Sequence, residues 1–89
     1  MLKQTVKVTY ESGLHARPAA EFTQIASSIN SQVYLEKEGK KVNAKSILGV
    51  LSLAIGQGTK ISIMTPGNSQ EEEEGINKLI SFIKNLEDL

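Results

Sequence analysis

The stretch Thr5-Val6-Lys7-Val8-Thr9-Tyr10-Glu11-Ser12-Gly13-Leu14-His15-Ala16-Arg17-Pro18-Ala19-Ala20-Glu21-Phe22 changes its hydrophobic period halfway along, and that change decides the fold. From Leu2 to Tyr10, Val6, Val8 and Tyr10 alternate with Thr5, Lys7 and Thr9. This is the two-residue period of a strand with one wet face. Glu11-Ser12-Gly13 then reads as a turn. Between Pro18 and Ile29, Ala19, Phe22, Ala26 and Ile29 recur at helical spacing, and Ala20 and Ile25 widen the stripe. Proline is tolerated only in a first turn, so the spacing predicts a helix that begins just after His15.

The same reading extends along the rest of the chain. Val33-Tyr34-Leu35 and Val42 flank the polar tip Glu38-Gly39-Lys40, a hairpin pattern expected at a sheet edge. Ser46 precedes Ile47, Val50, Leu51 and Ala54, which fall on one helical face. That makes Ser46 an N-cap candidate, with Gly56 and Gly58 stopping the short helix. Ile61 and Ile63 alternate with Lys60 and Ser62 until Pro66-Gly67-Asn68, and Ile76, Leu79, Ile80, Ile83 and Leu86 mark a last amphipathic helix. Glu71 to Glu74 read as its solvated first turn, opposing the positive end of the macrodipole. The expected fold is α+β: an open-faced β-sandwich of order βαββαβα, with a four-stranded antiparallel sheet and three helices on one face.

Eighty-nine residues, of which 39% are hydrophobic and 22% charged, suit one soluble domain spanning 1–89. No apolar run approaches the roughly 20 residues of a membrane span, so no membrane insertion is expected. Met1 leads directly into an alternating stretch without the basic and apolar regions of a secretory leader. With no cysteine and a single histidine, neither a disulfide nor the usual zinc ligand set is expected. The cytoplasm is the expected compartment. Ten basic residues balance ten acidic ones, which argues against direct nucleic-acid binding and for protein partners.

His15 lies in Gly13-Leu14-His15-Ala16-Arg17-Pro18, at a strand-to-helix junction where free N–H groups point at an anion. A neutral ring nitrogen has the lone pair needed to attack phosphorus. Arg17 is placed to bring a guanidinium to the phosphoryl oxygens. Spacing alone leaves the plainer alternative open, in which His15 merely caps a helix and Arg17 is a surface cation.

Gly13-Leu14-His15-Ala16-Arg17-Pro18-Ala19-Ala20 resembles the active-site motif of HPr, the histidine-containing phosphocarriers of the bacterial sugar phosphotransferase system. Val42-Asn43-Ala44-Lys45-Ser46-Ile47-Leu48-Gly49-Val50 resembles that family's regulatory serine segment. The resemblance covers essentially the whole chain. It implies a phosphoryl carrier, not an enzyme in its own right, and no cofactor: phosphoenolpyruvate and enzyme I lie upstream, the IIA domains of sugar permeases accept, and His15 carries the phosphoryl group on Nδ1 with Arg17 stabilising it.

Ser46 followed by Ile47 is similar to the form of low-GC Gram-positive bacteria, which implies a dedicated HPr kinase/phosphorylase and a catabolite control repressor as partners. Ala16, Ala20, Ile47, Leu48 and Leu51 are the expected docking residues. Phosphate on Ser46 would add about −1.5 to −2 charge at an N-cap, so local unfolding is not expected there. Two departures from the family pattern stand out: Thr65-Pro66-Gly67-Asn68-Ser69 replaces a more acidic turn, and Ala54 occupies a position where many relatives carry Gly.

The main alternative is a catabolite-repression regulator of the same fold, which works through the serine and lacks the active histidine. A sheet that binds RNA is a weaker one, because two Phe, two Tyr and no Trp leave few stacking platforms.

Overall fold

The computed structural model describes residues 1–86, so the last three positions of the expected domain lie outside the described residues. The elements are β1 (Leu2–Lys7), α1 (Ala16–Ser27), β2 (Tyr34–Lys37), β3 (Lys40–Asn43), α2 (Ile47–Ser52), β4 (Lys60–Thr65) and α3 (Gln70–Lys84). The strands form one antiparallel sheet in the order β1-β4-β2-β3. α3 packs on β1 and β4, α2 packs on β3, and α1 packs on the other two helices. This is the open-faced βαββαβα sandwich that the periodicities predict. No helix among the described residues is long and apolar enough to cross a membrane.

Alternation decides which face each strand buries. Val6, Leu35, Ile61 and Ile63 point into the helix layer, while Lys3, Thr5 and Lys7 face solvent. β1 ends at Lys7 instead of continuing to Tyr10, because β4 begins only at Lys60. Val8 is nonetheless fully buried: its N–H donates to the Thr59 carbonyl at 2.8 Å and its carbonyl accepts from Gly58. α1 begins at Ala16 and ends at Ser27, short of Ile29, whose side chain still reaches the core. Phe22 is completely buried and meets Phe82 at 6.4 Å between ring centroids, tilted by 52°. Burying such a ring stabilises the fold by roughly 1.5–3 kcal/mol. Gly75 lets α3 approach the segment after α1 closely, since a Cβ there would lie 2.6 Å from Cδ1 of Ile29.

The hairpin closes with Glu38 and Gly39 at φ 51° and 82°, between the paired Lys37 and Lys40. Two consecutive left-handed residues give the tight turn whose twist matches the strands. Of the two hairpin strands, β3 lies at a sheet edge and β2 lies inside the sheet, which corrects the expectation that the whole hairpin sits at the edge.

α2 is phased differently from its sequence pattern. Val50 and the following Leu53 are buried, whereas Ile47, Leu51 and Ala54 are exposed. Nor do Gly56 and Gly58 stop it. The helix ends at Ser52, and Ala54 turns the chain at φ 51°, in the left-handed region, where glycine would be the unstrained residue. Lys37 reaches across from β2 and donates to the carbonyls of Leu53 and Ala54 at 2.9 and 3.0 Å.

The acidic run is not uniformly solvated. Glu72 is 7% exposed. One of its oxygens accepts from the Ser69 N–H and hydroxyl at 2.9 and 2.8 Å. The other accepts from the Gly67 N–H at 3.0 Å and the Ser31 hydroxyl at 2.8 Å. With the Glu72 N–H donating to Ser69 Oγ, the start of α3 is a capping box. These bonds, those from Ser69 first, lower the Glu72 pKa from 4.5 to about 2 against the opposing effect of burial.

The resulting stabilisation is present in full above pH 4.5 and is lost as the pH falls through about 2. Glu72→Gln, which keeps the shape of the side chain but not its charge, should lower stability at neutral pH and flatten its decline across that acid window. Urea midpoints measured across the window check this; an unchanged acid slope would contradict it.

Candidate functional site

Each of the three helices begins at an N-cap residue in extended conformation: His15, Ser46 and Ser69. Ser46 Oγ accepts from the Gly49 N–H at 3.1 Å, as the sequence predicts for a cap. His15 makes no such bond to its own helix, and its imidazole is exposed. Because Pro18 has no N–H, the amides of Ala16 and Arg17 are the donors of the first turn that lack an intrahelical carbonyl. They stand directly after the histidine.

The approach to His15 is held from behind. Gly13 sits at φ 71°, and a Cβ there would lie 2.3 Å from the Ile55 carbonyl oxygen and 2.8 Å from Cα of Gly56. The next amide, Leu14 N–H, donates to that same Ile55 oxygen at 2.9 Å, and the Leu14 side chain is buried. Ala16 then takes φ 48°, a left-handed conformation that costs an L-residue about 1–2 kcal/mol. The backbone is therefore fixed on one side of the histidine and strained on the other, while the ring stays in solvent.

Arg17 is less committed than a fixed clamp. Its Nε lies 3.9 Å from Glu21 Oε1, with both side chains largely exposed. An ion pair of this kind contributes about 0–1 kcal/mol, so the guanidinium is easily redirected to an arriving anion. Ala16 is exposed and Ala20 half-buried on α1. On α2, which packs against α1, Ile47, Leu48 and Leu51 are 41%, 77% and 39% exposed. The five expected docking positions thus lie on two adjoining helices that carry His15 and Ser46 at their starts. A cavity of about 380 Å³, lined by Asn30, Ser31, Gln32, Tyr34, Asn43 and Lys45, contains none of the candidate residues.

Residues 2–85 match the family described as PTS HPr component phosphorylation site. The chain is 50% identical over 84 residues to the HPr-like protein Crh of Halalkalibacterium halodurans, covering 94% of this chain and 98% of the relative. It is 39% identical over 85 residues to the phosphocarrier protein HPr of Cupriavidus necator, covering 96% and 93%. Among solved structures, HPr-C-His from Thermoanaerobacter tengcongensis superposes with a TM-score of 0.87 at 45% identity, covering 94% of this chain and 92% of that one.

Two substitutions separate the roles of the backbone supports. Ser46→Ala should cost about 1 kcal/mol of stability through the lost cap, read as a lower denaturation midpoint with unchanged spectra. Gly13→Ala should cost more, because its Cβ collides with backbone that cannot rotate away. Its amide spectrum should shift at residues 12–16 and 54–57 together; shifts confined to residue 13 would contradict the clamp.

Proposed function

Because this chain belongs to the HPr family of the phosphotransferase system, we propose that it relays a phosphoryl group from phospho-enzyme I to the IIA domains of sugar permeases through His15. A lone pair on the ring attacks the phosphorus. The new P–N bond forms as the bond to the donor group breaks, and the reverse exchange delivers the phosphoryl group to the acceptor. The amides of Ala16 and Arg17, with the Arg17 guanidinium, receive the phosphoryl oxygens while charge redistributes.

The observation that carries this reading is the exposed His15 ring at an N-cap position, making no bond to its own helix. A carrier must be reached by two different proteins in turn, and a nucleophile standing on the surface meets that need better than one in a pocket. Ala16, Ala20, Ile47, Leu48 and Leu51 are the proposed docking surface for both. Ser46 is the proposed regulatory phosphorylation site, with an HPr kinase/phosphorylase acting on it and a catabolite control repressor reading the product.

A second reading has its own support. The 50% identity to an HPr-like protein named Crh favours a regulator that acts through Ser46 alone. The two readings differ at His15. Incubation with enzyme I, magnesium and phosphoenolpyruvate should add one acid-labile phosphoryl group, seen by intact-protein mass spectrometry and absent in His15→Ala. No addition in the presence of a demonstrably active donor, with Ser46 still phosphorylated by a kinase, would assign the chain to the regulator. Arg17→Ala should slow the transfer by roughly 10²–10³-fold, the effect of removing one charge-stabilising donor.

A further inference from the structure

The face of the sheet turned away from the helices carries a concentration of charge that the phosphoryl site does not use. Lys3 and Lys7 on β1, Lys60 on β4 and Lys41 on β3 share this face with a single strand carboxylate, Glu36. Four lysines and one glutamate leave three net positive charges on one side of a chain that is neutral overall. Lys7 and Lys60 stand directly opposite each other in the register, and like charges so placed are destabilising. Lys3 pairs with Glu36 at 3.7 Å and Lys41 lies 4.7 Å above the Tyr34 ring, whereas neither Lys7 nor Lys60 has an ion pair among the described residues. Glu38 at the hairpin tip pairs with neither. Exposed acids gather instead at the start of α3, in the other layer.

We propose that this open sheet face is a docking surface for an anionic lipid bilayer. Among the described residues no helix packs over this face, where Lys3, Lys7, Lys41 and Lys60 are exposed, so it suits a flat partner. It offers no apolar anchor of the kind that dominates protein interfaces, since Met64 is 5% exposed and the Tyr34 ring is covered by Lys41. For the same reason it lacks the stacking platforms that hold single-stranded nucleic acid. Long lysine stems let the ammonium groups reach headgroups without burying the sheet. No dimension of the molecule is below 19 Å, about twice the Debye length at physiological salt, so acids on the far side are screened from a surface that the lysines touch. Three net charges enrich the protein at such a surface roughly 100-fold. His15 and the exposed residues of α2 belong to the helix layer and stay accessible while the sheet is down.

The test is cosedimentation of the full chain with large vesicles, either of phosphatidylcholine alone or of phosphatidylcholine and phosphatidylglycerol in equal parts. Wild type should partition roughly 100-fold better onto the anionic vesicles, and salt should reverse it. The combined change Lys7→Gln, Lys41→Gln and Lys60→Gln should abolish the preference. Lys40→Gln, Lys78→Gln and Lys84→Gln together, which remove the same charge elsewhere, should preserve it. Lys60→Gln alone should weaken it about fivefold and keeps the test valid if the combined variant does not fold. Absence of binding to anionic vesicles, equal losses in the two combined variants, or displacement by stoichiometric oligothymidylate would each overturn the proposal. Acid-labile phosphorylation of His15 should be the same in all of these variants.

Discussion

The close approach of Gly13 to Ile55 and Gly56 governs the rest of the molecule. With a Cβ position only 2.3 Å from a carbonyl oxygen, no other residue fits there without moving backbone. The bond from Leu14 N–H to the same oxygen then fixes the direction in which the chain leaves β1. Everything after it is a consequence of that direction: Leu14 drops into the core, His15 emerges, and α1 starts one residue later. The Ile55 segment is in turn set by how α2 ends. Ala54 accepts a left-handed φ, and Lys37 spans from the sheet to hold the Leu53 and Ala54 carbonyls. Sheet, α2 and the histidine turn are thereby joined by backbone groups and the Lys37 ammonium, in addition to the apolar core that Leu14, Leu53 and Ile55 share.

Glu72 plays the corresponding part at the opposite junction. Its carboxylate gathers donors from Gly67, Ser69 and Ser31, so one side chain ties the β4–α3 turn to the segment after α1. A buried carboxylate is tolerated when its lone pairs are met by N–H and O–H donors, and here they also hold it ionised far into acid. The same residue closes the capping box with Ser69. The departure at Thr65 to Ser69 from a more acidic turn is compatible with this arrangement, since the turn supplies donors to a carboxylate already present.

Much of this was legible in the sequence. Wherever one face of an element is buried, burial imposes a period, and β1, α1, β4 and α3 announced themselves through Val6, Phe22, Ile63 and Leu79. Where burial is weak or two phasings compete, the period misleads. In α2, apolar residues fill so many positions over six residues that Ile47, Val50 and Leu51 describe one stripe as well as Val50 and Leu53 describe another. The choice follows from the packing of α2 against α1 and β3, which no local pattern contains. Glu72 was hidden among three identical neighbours, although the Ser69-x-x-Glu72 spacing is a capping-box signal that singles it out. The lysine face needed strand order: alternation marks Lys7 and Lys60 as outward, but only the pairing of β1 with β4 sets them opposite each other.

His15 was placed correctly because the switch from period two to helical spacing brackets it, yet the feature that distinguishes it chemically is visible only in the structure. A helix start presents unpaired N–H groups, and the usual cap residue spends its side chain on one of them. Ser46 and Ser69 do so. His15 occupies the same position without using its ring in that way, so the donors of the first turn and the imidazole remain available to the same incoming anion. At Ser46, by contrast, the hydroxyl oxygen already accepts from Gly49, and an oxygen that becomes phosphorylated can continue to accept. Under the proposed function, the first cap position would be open for transient transfer, and the second would keep a charge where the helix tolerates it. If those proposed roles hold, the difference between a relay and a switch reduces to whether the capping side chain is committed to its own helix.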